Sequence, residues 1–397
     1  MRKIALFSLI PLILFIVNCS QVSDKIEAYP GYDISESEME EYLMGKMEDF
    51  DIPGMSIAFI NEGKVVSHKV YGYAHREENK SVDEKTIFEA ASLSKPLFVY
   101  FVMKYVEAGK LDLDKPLYEF LPYPDIADDE RYKQITARMV LSHRSGFPNW
   151  RGDYPENKLF IQFDPGTDYF YSGEGYQYLA KVLKEIDNTD WEGLETNFQK
   201  LVAEPLGMEH TVFIQDAYAQ EHKAEPYDKD GEWISPDRDG ERELRFQFIA
   251  PASIHTEALD FSKWLIALMN YEGLEKESFE ELFKVHSYVD EFEGIKVDYT
   301  LGFFHPRIPL SNIYLHGGNN YGFTCSFAID PDKDWGFVLF TNSEYGEDLG
   351  NELLLAMLTG LNNETIFYIL GFGLGILLII IFLFFRFKKR RKIKKVG

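Results

Sequence analysis

The chain has 397 residues, 45% of them hydrophobic and 15% aromatic, enough apolar material for one large domain or two modest ones and too much for a disordered chain. Its formal charge is −24; ten of the 41 Lys and Arg sit at the two ends, while all 65 Asp and Glu lie between them, which argues against nucleic acid or an anionic membrane surface as partner of the intervening domain. Two cysteines, Cys19 and Cys325, cannot build a disulfide framework and show no metal-type spacing, so neither a metal nor another cofactor is expected.

Arg2 and Lys3 precede an apolar run that ends at Cys19, the pattern of a secretory signal over residues 1–19. The cysteine is placed as at a lipoprotein cleavage site, although Asn18 stands where a small residue is usual; lipidation of Cys19, plain cleavage and an uncleaved anchor all stay open. Residues 20–34 read as a tether. Ser35-x-x-Glu38 is a capping box, and Met39, Tyr42, Leu43, Met47 and Phe50 fall on one face of the helix it opens. Residues 55–60 and 64–73 are strand-like, and Asn61-Glu62-Gly63 between them predicts a hairpin.

The next helix is predicted to begin near Ser92 and to close at Gly109, with an almost unbroken apolar run over 98–103 that buries it on most sides. From about 132 to 208 the patterns are mainly helical, as at 176–186 and 191–206. The polar stretch 221–243, with Pro226, Gly231, Pro236 and Gly240, predicts a loop or flexible flap. Helical patterns return at 256–271 and 276–285. Strands follow at 299–305, 313–315, 323–329 and 336–341, then a last helix at 349–358. Strands at both ends with helices between them predict an α+β fold over residues 35–360: an antiparallel sheet from both chain ends, flanked by helices, with an inserted helical subdomain.

Residues 366–385 are uncharged and strongly apolar. At about 1.5 Å per residue they span about 30 Å, one bilayer core, and predict a transmembrane helix. The segment 386–397 that follows is basic without an acid, which places this short tail in the cytoplasm and the main domain outside.

Three stretches carry chemistry. Ser92 and Lys95 are three apart and share one helical face, where a desolvated amine can take the hydroxyl proton and free N–H groups at the helix start can receive an oxyanion. The S-x-x-K spacing alone arises by chance about once in a chain of this size. Downstream come Tyr171-Ser172-Gly173-Glu174 at a loop-to-helix junction and His316-Gly317-Gly318-Asn319 at a strand end. In this order the three motifs resemble the serine beta-lactamase and penicillin-binding superfamily, particularly its class C beta-lactamase-like branch, which shows S-x-x-K, Y-x-N, then K-T-G or H-x-G. Familial phrases also surround them: Leu141-Ser142-His143-Arg144-Ser145-Gly146, Glu204-Pro205-Leu206-Gly207-Met208 and the strand at 336–342.

The resemblance implies a sheet domain and a helical domain with the site between them, in a protein of the bacterial cell membrane. It implies that Ser92 is the acylated nucleophile, Lys95 its base or proton relay, and Tyr171 a second acid/base whose phenol nearby Lys95 and His316 must acidify. The backbone N–H groups of Ser92 and Asn319 would form the oxyanion hole, with Gly317 and Gly318 beside the substrate. Two positions depart from the family pattern. Gly173 replaces the usual Asn, which weakens recognition of a β-lactam or peptide amide. His316 replaces Lys, a weaker cation at pH 7, so recognition of a substrate carboxylate should be weaker or pH-dependent. His143 reads as a loop holder, Glu174 as a helix-start charge and Cys325 as core. The expected protein is a membrane-anchored serine hydrolase acting on a small-molecule or peptide acyl substrate, an esterase or D-amino-acid peptidase before an efficient beta-lactamase. The alternative is a penicillin-binding-like sensor or scaffold without turnover.

Overall fold

A computed structural model describes residues 25–29, 31–235, 246–292 and 294–361. The signal, Cys19, the apolar stretch 366–385 and the basic tail lie outside the described residues. Among the described residues no helix is long and apolar enough to cross a membrane.

The architecture is organised by the hairpin of β3 (Gly54–Asn61) and β4 (Lys64–His75), whose turn uses Glu62 and Gly63 at φ 51° and 67°, the left-handed pair that suits the twist of a tight hairpin. Two short strands, β1 (Lys25–Glu27) and β2 (Asp33–Ser35), pair antiparallel ahead of it, and β5 (Lys80–Ser81) lies on its outer edge. A small pair, β6 (Phe88–Glu89) and β7 (His255–Thr256), stands apart from the main sheet. The C-terminal part supplies β8 (Ser287–Phe292), β9 (Ile295–Tyr299), β10 (Phe304–Pro306), β11 (Tyr314–Asn319), β12 (Thr324–Asp330) and β13 (Trp335–Thr341). All nine main strands join in one antiparallel sheet in the order β5-β4-β3-β13-β12-β11-β10-β9-β8. The sheet is therefore assembled from both chain ends, with the helical region inserted between them.

β3 and β13 are buried on both faces, which is why they read as continuous apolar runs and not as alternating ones. Ala58, Ile60, Val338 and Phe340 face one core, and Met55, Ile57, Phe59, Phe337 and Leu339 face the other. The second core is closed by α1 (Glu36–Asp49), opened by the Ser35–Glu38 capping box, and by the helix Gly346–Thr359. The first core holds α2 (Ser94–Glu107), buried along its whole first half, and the helix Ala258–Met269.

Three expectations change. Residues 299–305 are not one strand: β9 and β10 pair with each other across a turn containing Gly302 at φ 94°, and β8 extends the same sheet edge. The stretch 132–208 is less helical than its pattern. Only α3 (Ala137–Leu141), α4 (Gly173–Ile186) and α5 (Trp191–Phe198), continued to Leu206, form longer helices, because Gly146, Pro148, Pro155 and Pro165 break the chain between α3 and α4. The expected tether 20–34 is, in its described part, built into the domain, since β1 and β2 pair there and bury Ile26, Ala28 and Ile34 in the second core. The described part of 221–243 is the expected loop, in which Tyr227 bridges Trp233 and Ile234 N–H donates to Pro226 O (2.9 Å).

Candidate active site

Ser92 sits in a short 3-10 turn (Ala91–Leu93) that leads into α2, one turn earlier than a regular helix start. Ala91 is held at φ 44°, in the left-handed region, so the backbone is strained immediately before the serine. The i, i+3 spacing brings Lys95 Nζ to 3.1 Å from Ser92 Oγ, and Nζ also donates to Pro251 O (3.0 Å). Lys95 is 1% exposed, with its Nζ 4.6 Å from the centre of the Tyr171 ring. The Tyr171 phenol is hydrogen-bonded to Ser92; burial raises it above its ordinary value and outweighs the lowering effect of that bond. The expected acidification by Lys95 and His316 is therefore not found, and the resting phenol is neutral.

β11 runs beside the turn that carries Ser92. A Cβ at Gly318 would lie 2.8 Å from Ser92 N and 2.9 Å from Ala90 O, so only glycine permits this approach. Ser92 and Asn319, the expected oxyanion pair, flank that contact, with Gly317 on its other side. The Asn319 side chain accepts from Tyr321 N (3.1 Å), and Asn320 Nδ2 donates to Glu89 Oε2 (2.9 Å) and Ala252 O (3.1 Å). Burial alone would raise the Glu89 carboxyl, but Lys223 and His255 hold it down to about 2. Cys325 is buried in the core beneath this turn, its thiol donating to Ala90 O (2.9 Å).

Gly173 opens α4, where its N–H donates to Asn149 Oδ1 (3.0 Å). A Cβ there would meet Asn149 O at 3.0 Å and the indole of Trp150 at 3.2 Å. The volume of the family's asparagine is thus taken by Trp150, which no local pattern singled out. Glu174 is not an available carboxylate: Arg151 grips both of its oxygens (3.0 and 2.8 Å).

His316 is 1% exposed and lies behind Tyr171, the two ring centres 6.1 Å apart. Its Nδ1 is 2.8 Å from Gly317 O and its Nε2 3.3 Å from Tyr299 Oη, so both nitrogens are engaged within the protein and neither serves as an exposed cation for a substrate carboxylate. His143, expected to hold a loop, is also buried and packs on the Tyr171 ring at 4.2 Å. Tyr299, which lies between the two histidines, was missed because no local pattern marks it. Among the described residues no group of three or more His, Cys, Asp or Glu could hold a metal ion.

A family model described as Beta-lactamase matches residues 39–360. Protein flp of Staphylococcus aureus (strain MW2) is 23% identical over 357 residues, covering 85% of this chain and 69% of its own length. Among solved structures, D-alanine carboxypeptidase AmpC from Burkholderia cenocepacia superposes with a TM-score of 0.68 at 18% identity, over 82% of this chain and 99% of that one. EstCE1, a hydrolase with promiscuous acyltransferase activity, gives 0.67 at 22% identity, over 78% and 94%. The chain belongs to the beta-lactamase family, and with it to the serine beta-lactamase and penicillin-binding protein superfamily of serine hydrolases.

Proposed function

We propose that this chain is a membrane-anchored, extracytoplasmic serine hydrolase that forms an acyl-enzyme on Ser92. The observation that carries the reading is the 3.1 Å contact between Lys95 Nζ and Ser92 Oγ, with the Tyr171 hydroxyl on the same serine. Ser92 Oγ attacks the substrate carbonyl and gives its proton to a neutral Lys95 amine. Tyr171 protonates the departing group and is reprotonated by Lys95; water then takes the acyl group, its proton passes through the same pair, and Ser92 Oγ recovers its hydrogen. The Ser92 and Asn319 N–H groups receive the oxyanion.

Gly173 and the indole beside it favour an ester first, because no side-chain amide is present at 173 to bind the amide of a β-lactam or of a D-amino-acid peptide. A carboxypeptidase and an acyltransferring hydrolase share the fold, in keeping with either chemistry. The purified protein should hydrolyse a short-chain p-nitrophenyl ester, and Ser92→Ala should lose roughly 10³-fold or more of that rate; full activity in Ser92→Ala would end the assignment. Nitrocefin and D-Ala peptides assayed in parallel rank the substrates.

A second reading, a penicillin-binding-like protein that acylates without turnover, is favoured by the neutral Tyr171 phenol, a poor base for deacylation. Labelling by an activated ester separates the two: transient labelling means an enzyme, and a label that persists for hours means a binder. The membrane anchor in this reading is the apolar segment 366–385.

A further inference from the structure

Behind Tyr171 lies a run of buried polar groups that the acyl-transfer steps do not use. Ser172 N–H donates to His143 Nδ1 (3.0 Å), so neutral His143 carries its proton on Nε2. That nitrogen is 3.1 Å from Tyr299 Oη and donates to it. His316 donates from Nδ1 to Gly317 O (2.8 Å), which leaves its Nε2 to accept from Tyr299 Oη (3.3 Å), whose other acceptor is the Tyr176 hydroxyl oxygen. Each contact has one donor and one acceptor in this sense. The opposite sense puts two N–H groups face to face at Ser172 and His143, and a backbone N–H cannot reverse.

The placement of His143 is a second, independent observation. It follows the C-cap of α3 at φ 57°, with His143 N–H on Val140 O (3.0 Å) and Arg144 N–H on Met139 O (2.6 Å). This is the helix-ending pattern in which glycine is usual. A buried imidazole at a position whose backbone favours glycine is kept there by what its side chain contacts. The His143 ring lies 4.2 Å from that of Tyr171, while Phe304 stacks on Tyr171 at 6.4 Å and 7°.

We propose that Ser172, His143, Tyr299, His316 and Gly317 form a one-directional hydrogen-bond chain that positions Tyr171 against strand β11 and keeps both histidines neutral. The proposal rests on the acyl-enzyme reading of Ser92, Lys95 and Tyr171, and casts His143, Tyr299 and His316 as positioning residues. The titratable and charged groups facing His143 are Lys95 from α2, Tyr169 and Tyr171 from the preceding loop, Tyr176 from α4, Tyr299 from β9 and His316 from β11. The Tyr176 hydroxyl donates to Leu141 O (3.0 Å), and its oxygen is a second acceptor for the Tyr299 hydroxyl, a branch off the chain at Tyr299. Burial first, then Lys95 and His316, hold His143 well below its ordinary value.

The test uses the full chain. In nitrogen-15 histidine spectra at pH 7, His143 should show the Nε2–H tautomer and His316 the Nδ1–H tautomer, and the opposite tautomers or a cation at either would overturn the chain. Tyr299→Phe removes one hydroxyl and two links. It should lower kcat on the p-nitrophenyl ester about ten- to a hundredfold with KM within about threefold, and move the acid limb of kcat/KM upward by about one pH unit, since His316 Nε2 loses its donor and can take a proton. His143→Asn, which tolerates the left-handed backbone, should lower kcat similarly, and serves where Tyr299→Phe fails to fold. A fall in Tm with an unmoved acid limb would mean a merely structural role. If Ser92→Ala is inactive while Tyr299→Phe matches wild type, the chain alone is refuted; if Ser92→Ala is active, the acyl-enzyme reading itself fails.

Discussion

Gly173 illustrates how one missing side chain acquires meaning only from a neighbour. Its departure from the family pattern is visible in the sequence, but the indole of Trp150 that occupies the space is brought there by the irregular chain between α3 and α4. Gly173→Ala gains about 1 kcal/mol of helix propensity. It loses more, because the new Cβ meets a backbone oxygen at 3.0 Å and the indole at 3.2 Å, and such overpacking costs about 1–3 kcal/mol. Thermal denaturation should show a lower Tm, and the loss should shrink by at least half in a Trp150→Ala background; an unchanged or raised Tm in the single variant would show that the site yields freely. Ser92 and Lys95 are the opposite case, since their contact follows from helical spacing alone. The protonation of Tyr171 was not legible, because burial by distant elements sets it.

Among elements, α2 was the most legible, since an apolar helical run too short to span a bilayer is a core helix. Its strained first turn was not legible, and neither was the pressure exerted on it by the β9–β10 turn. Gly302, at φ 94°, lies where a Cβ would be 2.8 Å from Val99 Cγ2 and 3.0 Å from Pro96 Cα. Gly302→Ala therefore strains the backbone and pushes on the turn that carries Lys95, and should destabilise by about 1–3 kcal/mol. Denaturant titration measures this, and ester hydrolysis should fall with it; a variant as stable and active as wild type would show that the turn does not brace the helix. The same glycine splits the expected strand in two, and one glycine in an apolar run looks the same in sequence whether it bends a strand or ends it.

At the scale of the molecule, the first and last elements of the described domain meet on one face. Tyr29 N–H, between β1 and β2, donates to Met357 O (2.7 Å) near the end of the helix Gly346–Thr359. The proposed span at 366–385 follows this face of the domain in the sequence. High-pH extraction of membranes should leave the full chain in the pellet and release a Cys19→Ala chain ended at residue 361; the full chain in the wash would rule out the span.

The sequence by itself determined the α+β class, a sheet built from both ends, the helix that carries Lys95 just after Ser92, and the order of the three motifs. All of these rest on periodicity, turn chemistry and short spacings, which are local. The tertiary structure alone decided that Trp150 fills the place of the missing asparagine, that Tyr171 stays a neutral phenol, and that His316 is engaged by Tyr299 and Gly317. These depend on burial and on contacts between residues far apart in the chain, and desolvation and hydrogen-bond direction exist only once those residues have been packed together.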